Sequence, residues 1–154
     1  MEAPRTPAQW FATLVGAGLI AGGVLALVTG STDFGTVSSG TGHEFIIWRV
    51  SGWETILYMA TGVIGLMAAA RVDAARSFGL TAGLVFAAIA IWGFIDGNDV
   101  VSLFAVNTAD NVTHAAIGGL GLLAGLASES VQRQVGVGHN ERRVPASDHR
   151  SVRT

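Results

Sequence analysis

The chain has 154 residues, half of them hydrophobic, with a mean hydropathy of +0.50, no cysteine and a net charge of −2. Charged residues make up 13%, against about 25% in an ordinary soluble domain, and they avoid four long apolar stretches. This excludes disulfides, thiolate chemistry and cysteine-ligated metal centres, offers no basic surface for nucleic acid, and predicts a small polytopic membrane protein whose partner is the lipid bilayer.

Met1 to Gln9 is short and polar, with Arg5 and two prolines. The first apolar run spans Trp10 to Val28, close to the ~20 residues that cross about 30 Å of hydrocarbon. It is too long for a signal-peptide core, and no clean small-x-small cleavage site follows it. Gly30 to Val50 is a polar loop holding Asp33, His43, Glu44 and Arg49, with a short apolar patch, Phe45 to Trp48, expected at the membrane interface. The second run spans Trp53 to Ala70. Arg71, Asp73 and Arg76 are expected to form a tight charged turn. The third run spans Phe78 to Ile95 and ends on Asp96-Gly97-Asn98-Asp99, a turn signal. Val100 to Val106 is apolar but short, and reads as a re-entrant or interfacial segment or as a brief extension. The fourth run spans Asn111 to Ala127. Ser128 to Thr154 is polar, carries five arginines, and is expected to be a disordered tail. The domains are thus a transmembrane unit, 1–127, and a tail, 128–154.

Arginine placement gives the orientation. Arg5, Arg71, Arg76 and the tail arginines fall on one side of a four-span arrangement, and only Arg49 on the other. The positive-inside rule then places both termini in the cytoplasm. The tail arginines Arg142, Arg143, Arg150 and Arg153 either hold to anionic lipid, at about 1 kcal/mol each near the surface, or are simply solvated.

Two stretches resemble each other. With Ser51 laid over Asn107 and no gaps, Glu54 falls on Asp110, Tyr58 on His114, Gly62 on Gly118, Gly65 on Gly121 and Leu66 on Leu122. The first and third runs match more loosely, Phe11 over Phe78 and Gly16 over Gly83. The expected unit is a two-helix hairpin used twice in the same orientation. Ser51-Gly-Trp-Glu54 is a capping box, and Asn107-Thr-Ala-Asp110 can act alike with a shorter acid; both acids sit at the positive end of a helix dipole. Gly18 and Gly22, Gly79 and Gly83, and Gly121 and Gly125 are each four apart, the spacing of close helix packing in lipid.

The polar candidates are Asn107, Asp110, Asn111 and His114 on the last helix, with Glu54 and Tyr58 on the second. Asp110, His114, Gly118 and Leu122 share a face. His114 lies about 10 Å along the helix, in the outer third of the bilayer, and should point inward, towards Glu54 and Tyr58. Three readings compete. In the first, His114 bonds Asp110 one turn back, or Tyr58 across the interface, and so fixes the register of two helices. An acid–histidine pair can instead serve transport or proton handling, although the spans carry no further charge to continue a relay. Metal or haem binding wants more ligands than one intramembrane histidine, since His43 is in the outer loop and His139 and His149 are in the tail. Asn111-Val112-Thr113 fits the glycosylation pattern but sits at the membrane edge inside a helix. No catalytic set and no cofactor motif is visible.

The segment F-A-V-N-T-A-D-N-V-T-H-A-A-I-G-G-L-G-L resembles the signature of a family of small four-span membrane proteins, common in high-GC Gram-positive bacteria and classed as a domain of unknown function. The resemblance covers nearly all of residues 10–127. Many members carry a second Asn-x-x-His before the second span, where Thr55 and Tyr58 stand here, a departure that weakens any mechanism needing two histidines. The resemblance implies a fold and a location but no activity.

The expectation is therefore an all-α, four-helix transmembrane bundle built from two similar helical hairpins. It is multi-pass in the bacterial plasma membrane, non-enzymatic and without cofactors. Its expected role is a scaffold or accessory component, with a membrane-protein partner or a second copy of itself. The alternative is a small transporter, or a proton- or solute-responsive protein, acting through Asp110, Asn111 and His114.

Overall fold

The computed structural model describes residues 4–30, 32–35, 42–96, 99–101 and 104–141, without the side chains of residues 99 and 129–141. Among the described residues four helices make up the bundle: α1 (Pro7–Val28), α2 (Gly52–Ala68), α3 (Val72–Asp96) and α4 (Thr108–Glu141). Two antiparallel ladders interrupt them. β1 (His43–Phe45) pairs with β2 (Trp48–Val50), and β3 (Asp99–Val100) with β4 (Phe104–Ala105). The two halves therefore share one element order, helix, two-stranded ladder, helix.

Local chemistry explains most helix ends. Thr6 caps α1 through a full capping box with Gln9, and Pro7 occupies the first helical turn, where a missing N–H costs nothing. Ser51 and Glu54 form the box of α2. The expected charged turn over Arg71, Asp73 and Arg76 is shorter than its sequence suggested. The chain reverses at Ala69–Arg71, and Asp73 and Arg76 already belong to α3. No glycine or proline interrupts Arg71–Arg76, so the helix starts as soon as the reversal is complete, with Asp73 in its positively polarised first turn.

The described residues of the Val100–Val106 stretch supply strands of the second ladder, with Val100, Ala105 and Val106 buried. The Phe45–Trp48 patch is the turn of the first. Ile46 is 75% exposed and takes φ 58°, and Val101 takes φ 52°, a left-handed backbone that β-branched residues seldom adopt. Helix α4 runs past the last apolar run to Glu141, so the expected tail begins as helix. Residues 97–98 of the Asp96–Asp99 turn and residues 142–154, with His149 and the last four arginines, lie outside the described residues.

Each hairpin crosses its helices through glycine, and the two crossings use equivalent atoms. A Cβ at Gly16 would lie 2.9 Å from Gly62 O and 3.0 Å from Leu66 N; one at Gly83 would lie 3.0 Å from Gly118 O and 2.7 Å from Leu122 N. Gly62 faces Gly16 O and Ile20 N, and Gly118 faces Gly83 O and Ala87 N. Backbone meets backbone there, which only glycine permits. Between the hairpins the exchange is reciprocal: the Phe78 ring edge fills the space at Gly65 and the Phe11 ring edge the space at Gly121. The two rings meet with centroids 6.2 Å apart. Of the spaced glycine pairs, Gly79/Gly83 and Gly121/Gly125 pack as expected. Gly18 and Gly22 do not, because nothing lies within 4 Å of where their Cβ would be. Spacing told which glycines share a face of α1, but a cavity, not a helix backbone, lies in front of them.

Candidate functional site

The ladders and the starts of α2 and α4 sit at one end of the bundle. At the other, Gln9 Nε2 donates to Ala69 O, and Ala8 N to Ser128 Oγ. The polar candidates gather at the ladder end. Among them Glu54, Asp110 and Asn111 are each 2% exposed and His114 3%. These are unusual interior residues, and each needs partners.

Asp110 is held most firmly. Its Oδ2 accepts from Asn107 N at 2.8 Å and from Arg49 N at 2.9 Å, while Asn107 Oδ1 accepts from Asp110 N at 3.0 Å. The first and last of these make the reciprocal cap expected of Asn107 and Asp110. The Arg49 bond adds a link the sequence did not announce, from β2 to α4. Trp48 Nε1 donates to Thr113 Oγ1 at 3.0 Å, and Asn107 Nδ2 to Ile47 O at 2.9 Å. The β1–β2 ladder of the first half is thus stitched to the last helix of the second. Asp110 precedes the apolar run. Burial pushes its carboxyl up, the N–H groups of Arg49 and Asn107 pull it down, Glu44 raises it, and it comes to about 6. At neutral pH it is mostly the carboxylate, the acceptor those two N–H groups require.

Glu54 Oε2 accepts from Ser51 N and Ser51 Oγ at 2.9 and 3.1 Å. Tyr58 lies one turn on, its hydroxyl 3.5 Å from Glu54 Oε1 and 2.8 Å from His114 Nε2. Of the two partners weighed for His114, the structure gives Tyr58 across the interface. The phenol has one proton: given to Nε2 it leaves the ring proton on Nδ1, and given to Glu54 it lets Nε2–H donate to the hydroxyl. Nδ1 has no partner among the described residues, nor does Asn111 Oδ1. The Asn111 side chain fills the space at Gly93, where any Cβ would collide with it. Phe86 lies against the imidazole, ring centroids 5.4 Å apart. Among the described residues no three His, Cys, Asp or Glu side chains are grouped to hold a metal ion.

A cavity of about 260 Å³ reaches this cluster from α1, and Tyr58, Asp110, Thr113 and His114 are on its wall. The rest of its lining is apolar or glycine. Sequence reasoning missed Trp48, Arg49, Thr113, Gly93 and the cavity. Thr113 was visible only within a glycosylation pattern, and Arg49 acts through its backbone N–H, which no side-chain pattern reports.

Fold and site together define a small helical bundle with an alanine and phenylalanine core, a buried cluster of acids, amide and imidazole at one end, and many large aliphatic side chains outside. Among the described residues two helices, α1 and α3, are long and apolar enough to cross a membrane. Residues 9–127 match the family described as a domain of unknown function (DUF4383), and the chain belongs to that family. No curated protein and no solved structure matches it.

Proposed function

We propose that the chain is a four-span protein of the bacterial plasma membrane with both termini in the cytoplasm, acting without catalysis as a scaffold or accessory component of a membrane assembly. The observation that carries the membrane part is the aliphatic exterior beside a buried polar cluster. Leu14, Ile64, Met67, Leu84, Ile91 and Leu123 are exposed while Glu54, Asp110 and His114 are buried. Water would penalise such an exterior, whereas hydrocarbon is its matching solvent. At 17 residues α2 is near the short limit of a span. Arg5, Arg71 and Arg76 flank the end opposite the ladders, so the positive-inside rule supports a cytoplasmic placement of that end.

The scaffold reading is supported by where the polar groups are spent. Asp110 binds the first half's ladder to the second half's helix, and Tyr58 meets His114 across the same division. Such bonds fix register and orientation at modest energy, about 0.6 kcal/mol on average. The transport reading keeps one observation in its favour, the buried Asn111 Oδ1 and His114 Nδ1 without partners among the described residues. Its test is a pH-dependent flux in liposomes that His114→Ala abolishes; an unchanged flux in that variant removes it.

Because the chain has no cysteine, topology is testable with single introduced thiols. Ile46→Cys, at the exposed ladder turn, is expected to react with a membrane-impermeant maleimide in intact cells. Arg71→Cys is expected to react only after lysis. The reverse pattern, or equal labelling, contradicts the orientation. Purification in mild detergent tests the scaffold role: a co-purifying membrane protein or a defined homo-oligomer supports it, and a lone monodisperse chain counts against it.

A further inference from the structure

Arg5 stands just before the cap of α1, where a long cationic side chain would ordinarily reach away from an apolar helix into water. It does the opposite. Its Nη1 donates to Thr13 Oγ1 at 3.2 Å, and its guanidinium carbon lies 5.6 Å from the centre of the Trp10 ring. The charge is thus carried back along α1 to Trp10 and Thr13, where the first apolar run has already begun. Two contacts hold it there. The hydroxyl accepts one N–H, and the indole face attracts the cation from within the ~6 Å over which a ring does so. Thr13 Oγ1 is itself fixed, since it donates to Gln9 O at 2.8 Å.

This position leaves the charge without a counterion from the protein. Arg5 and Trp10 are exposed, as is Leu14 one turn on, so the guanidinium lies on the outside of the bundle. A guanidinium has five N–H donors; one goes to Thr13, and no carboxylate among the described residues meets the group. Helix α1 carries no charged residue, and Asp73 and Arg76, at the same end of the bundle, have partners of their own. In a bilayer, indole rings settle at the level of the lipid headgroups. A lipid phosphate at that level offers two oxygens spaced for the guanidinium fork.

We infer that Arg5, with Trp10 and Thr13, forms a binding site for the phosphate of an anionic phospholipid in the cytoplasmic leaflet. The inference rests on the membrane reading, with that end of the bundle in the cytoplasm. Charge selects an anionic lipid: a zwitterionic headgroup brings a second cation to a site that already has one uncompensated, and phosphatidylglycerol does not. Arg71 is the natural comparison. It is exposed at the same end, but among the described residues no ring or hydroxyl holds its guanidinium.

Trp10 provides the readout. The full-length protein is reconstituted in phosphatidylcholine vesicles containing brominated phosphatidylglycerol or, separately, brominated phosphatidylcholine. The share of fluorescence quenching that belongs to Trp10 is taken by difference with Trp10→Phe. Phosphatidylglycerol is expected to associate there about fivefold more strongly than phosphatidylcholine, the factor for one arginine near an anionic surface. Arg5→Gln, exposed and outside the helix, should abolish the preference, and Arg71→Gln should keep it. No preference in the native chain, or a preference that Arg5→Gln leaves intact, overturns the inference. So do equal losses from Arg5→Gln and Arg71→Gln, which would mean diffuse attraction to the whole basic end. Both leaflets carry the probe, so the result does not depend on orientation. Failure of the membrane reading would look different, because the chain would then not float with the vesicles.

Discussion

Gly118→Leu is expected to prevent recovery of folded protein or to lower its melting temperature in detergent by about 10 °C, while Gly119→Leu, one residue on, leaves it within a few degrees. A Cβ at Gly118 would sit 2.7 Å from Ala87 N and 3.0 Å from both Ala87 Cα and Gly83 O; at Gly119 nothing lies within 4 Å. Inserting extra atoms into a packed interior costs about 1–3 kcal/mol, sometimes more. Here the atoms in the way are backbone, so α3 and α4 must separate along the crossing rather than let a side chain swing aside. At about 2–4 °C per kcal/mol for a chain of this size, the upper end of that range gives the stated shift. Gly62→Leu should reproduce the loss, because Gly62 meets Gly16 O and Ile20 N as Gly118 meets Gly83 O and Ala87 N. Equal melting temperatures for the Gly118 and Gly119 variants would show that the glycines do not set the crossing.

Asp110→Ala carries the second large effect. One carboxylate oxygen accepts the Arg49 and Asn107 N–H groups, so its removal uncaps α4 and cuts one of the bonds that hold the first ladder to it, beside those of Trp48 and Ile47. A bond to a charged acceptor contributes about 1.5–3 kcal/mol and a cap about 1 kcal/mol. A loss of about 3 kcal/mol is expected, since the two bonds share one oxygen and are not additive. Asp110→Asn keeps an acceptor in place without the charge and should recover part of it. Amide hydrogen exchange gives the specific signature, with faster exchange at Arg49 and Asn107 in the alanine variant than in the asparagine variant. A uniform rise across the chain would instead indicate general loosening.

Much of this was legible before any coordinates. The capping boxes marked the starts of α2 and α4 because the chemistry of a cap is confined to four consecutive residues, and the apolar runs marked the four helices. Laying Ser51 over Asn107 paired Gly62 with Gly118, each of which meets the backbone of the preceding helix, and Tyr58 with His114, which bond to each other. The ladders were not legible. Strands of two and three residues are too short for an alternating pattern, and nothing in Ile46 or Val101 announces a left-handed backbone. Nor could glycine spacing show that Gly16 packs while Gly18 and Gly22 stand open, since spacing defines a face but not its neighbour. The partner of His114 stayed open for a related reason. Asp110 was within reach along the helix, but its carboxylate was already committed to two backbone N–H groups, one of them from β2.

The account depends on lipid being the solvent around the aliphatic exterior. Alkaline carbonate extraction of membranes from cells expressing the full chain tests this most directly. The chain is predicted to stay in the membrane pellet at high pH and to enter solution only with detergent. Release into the carbonate supernatant as a folded, helical monomer would contradict it.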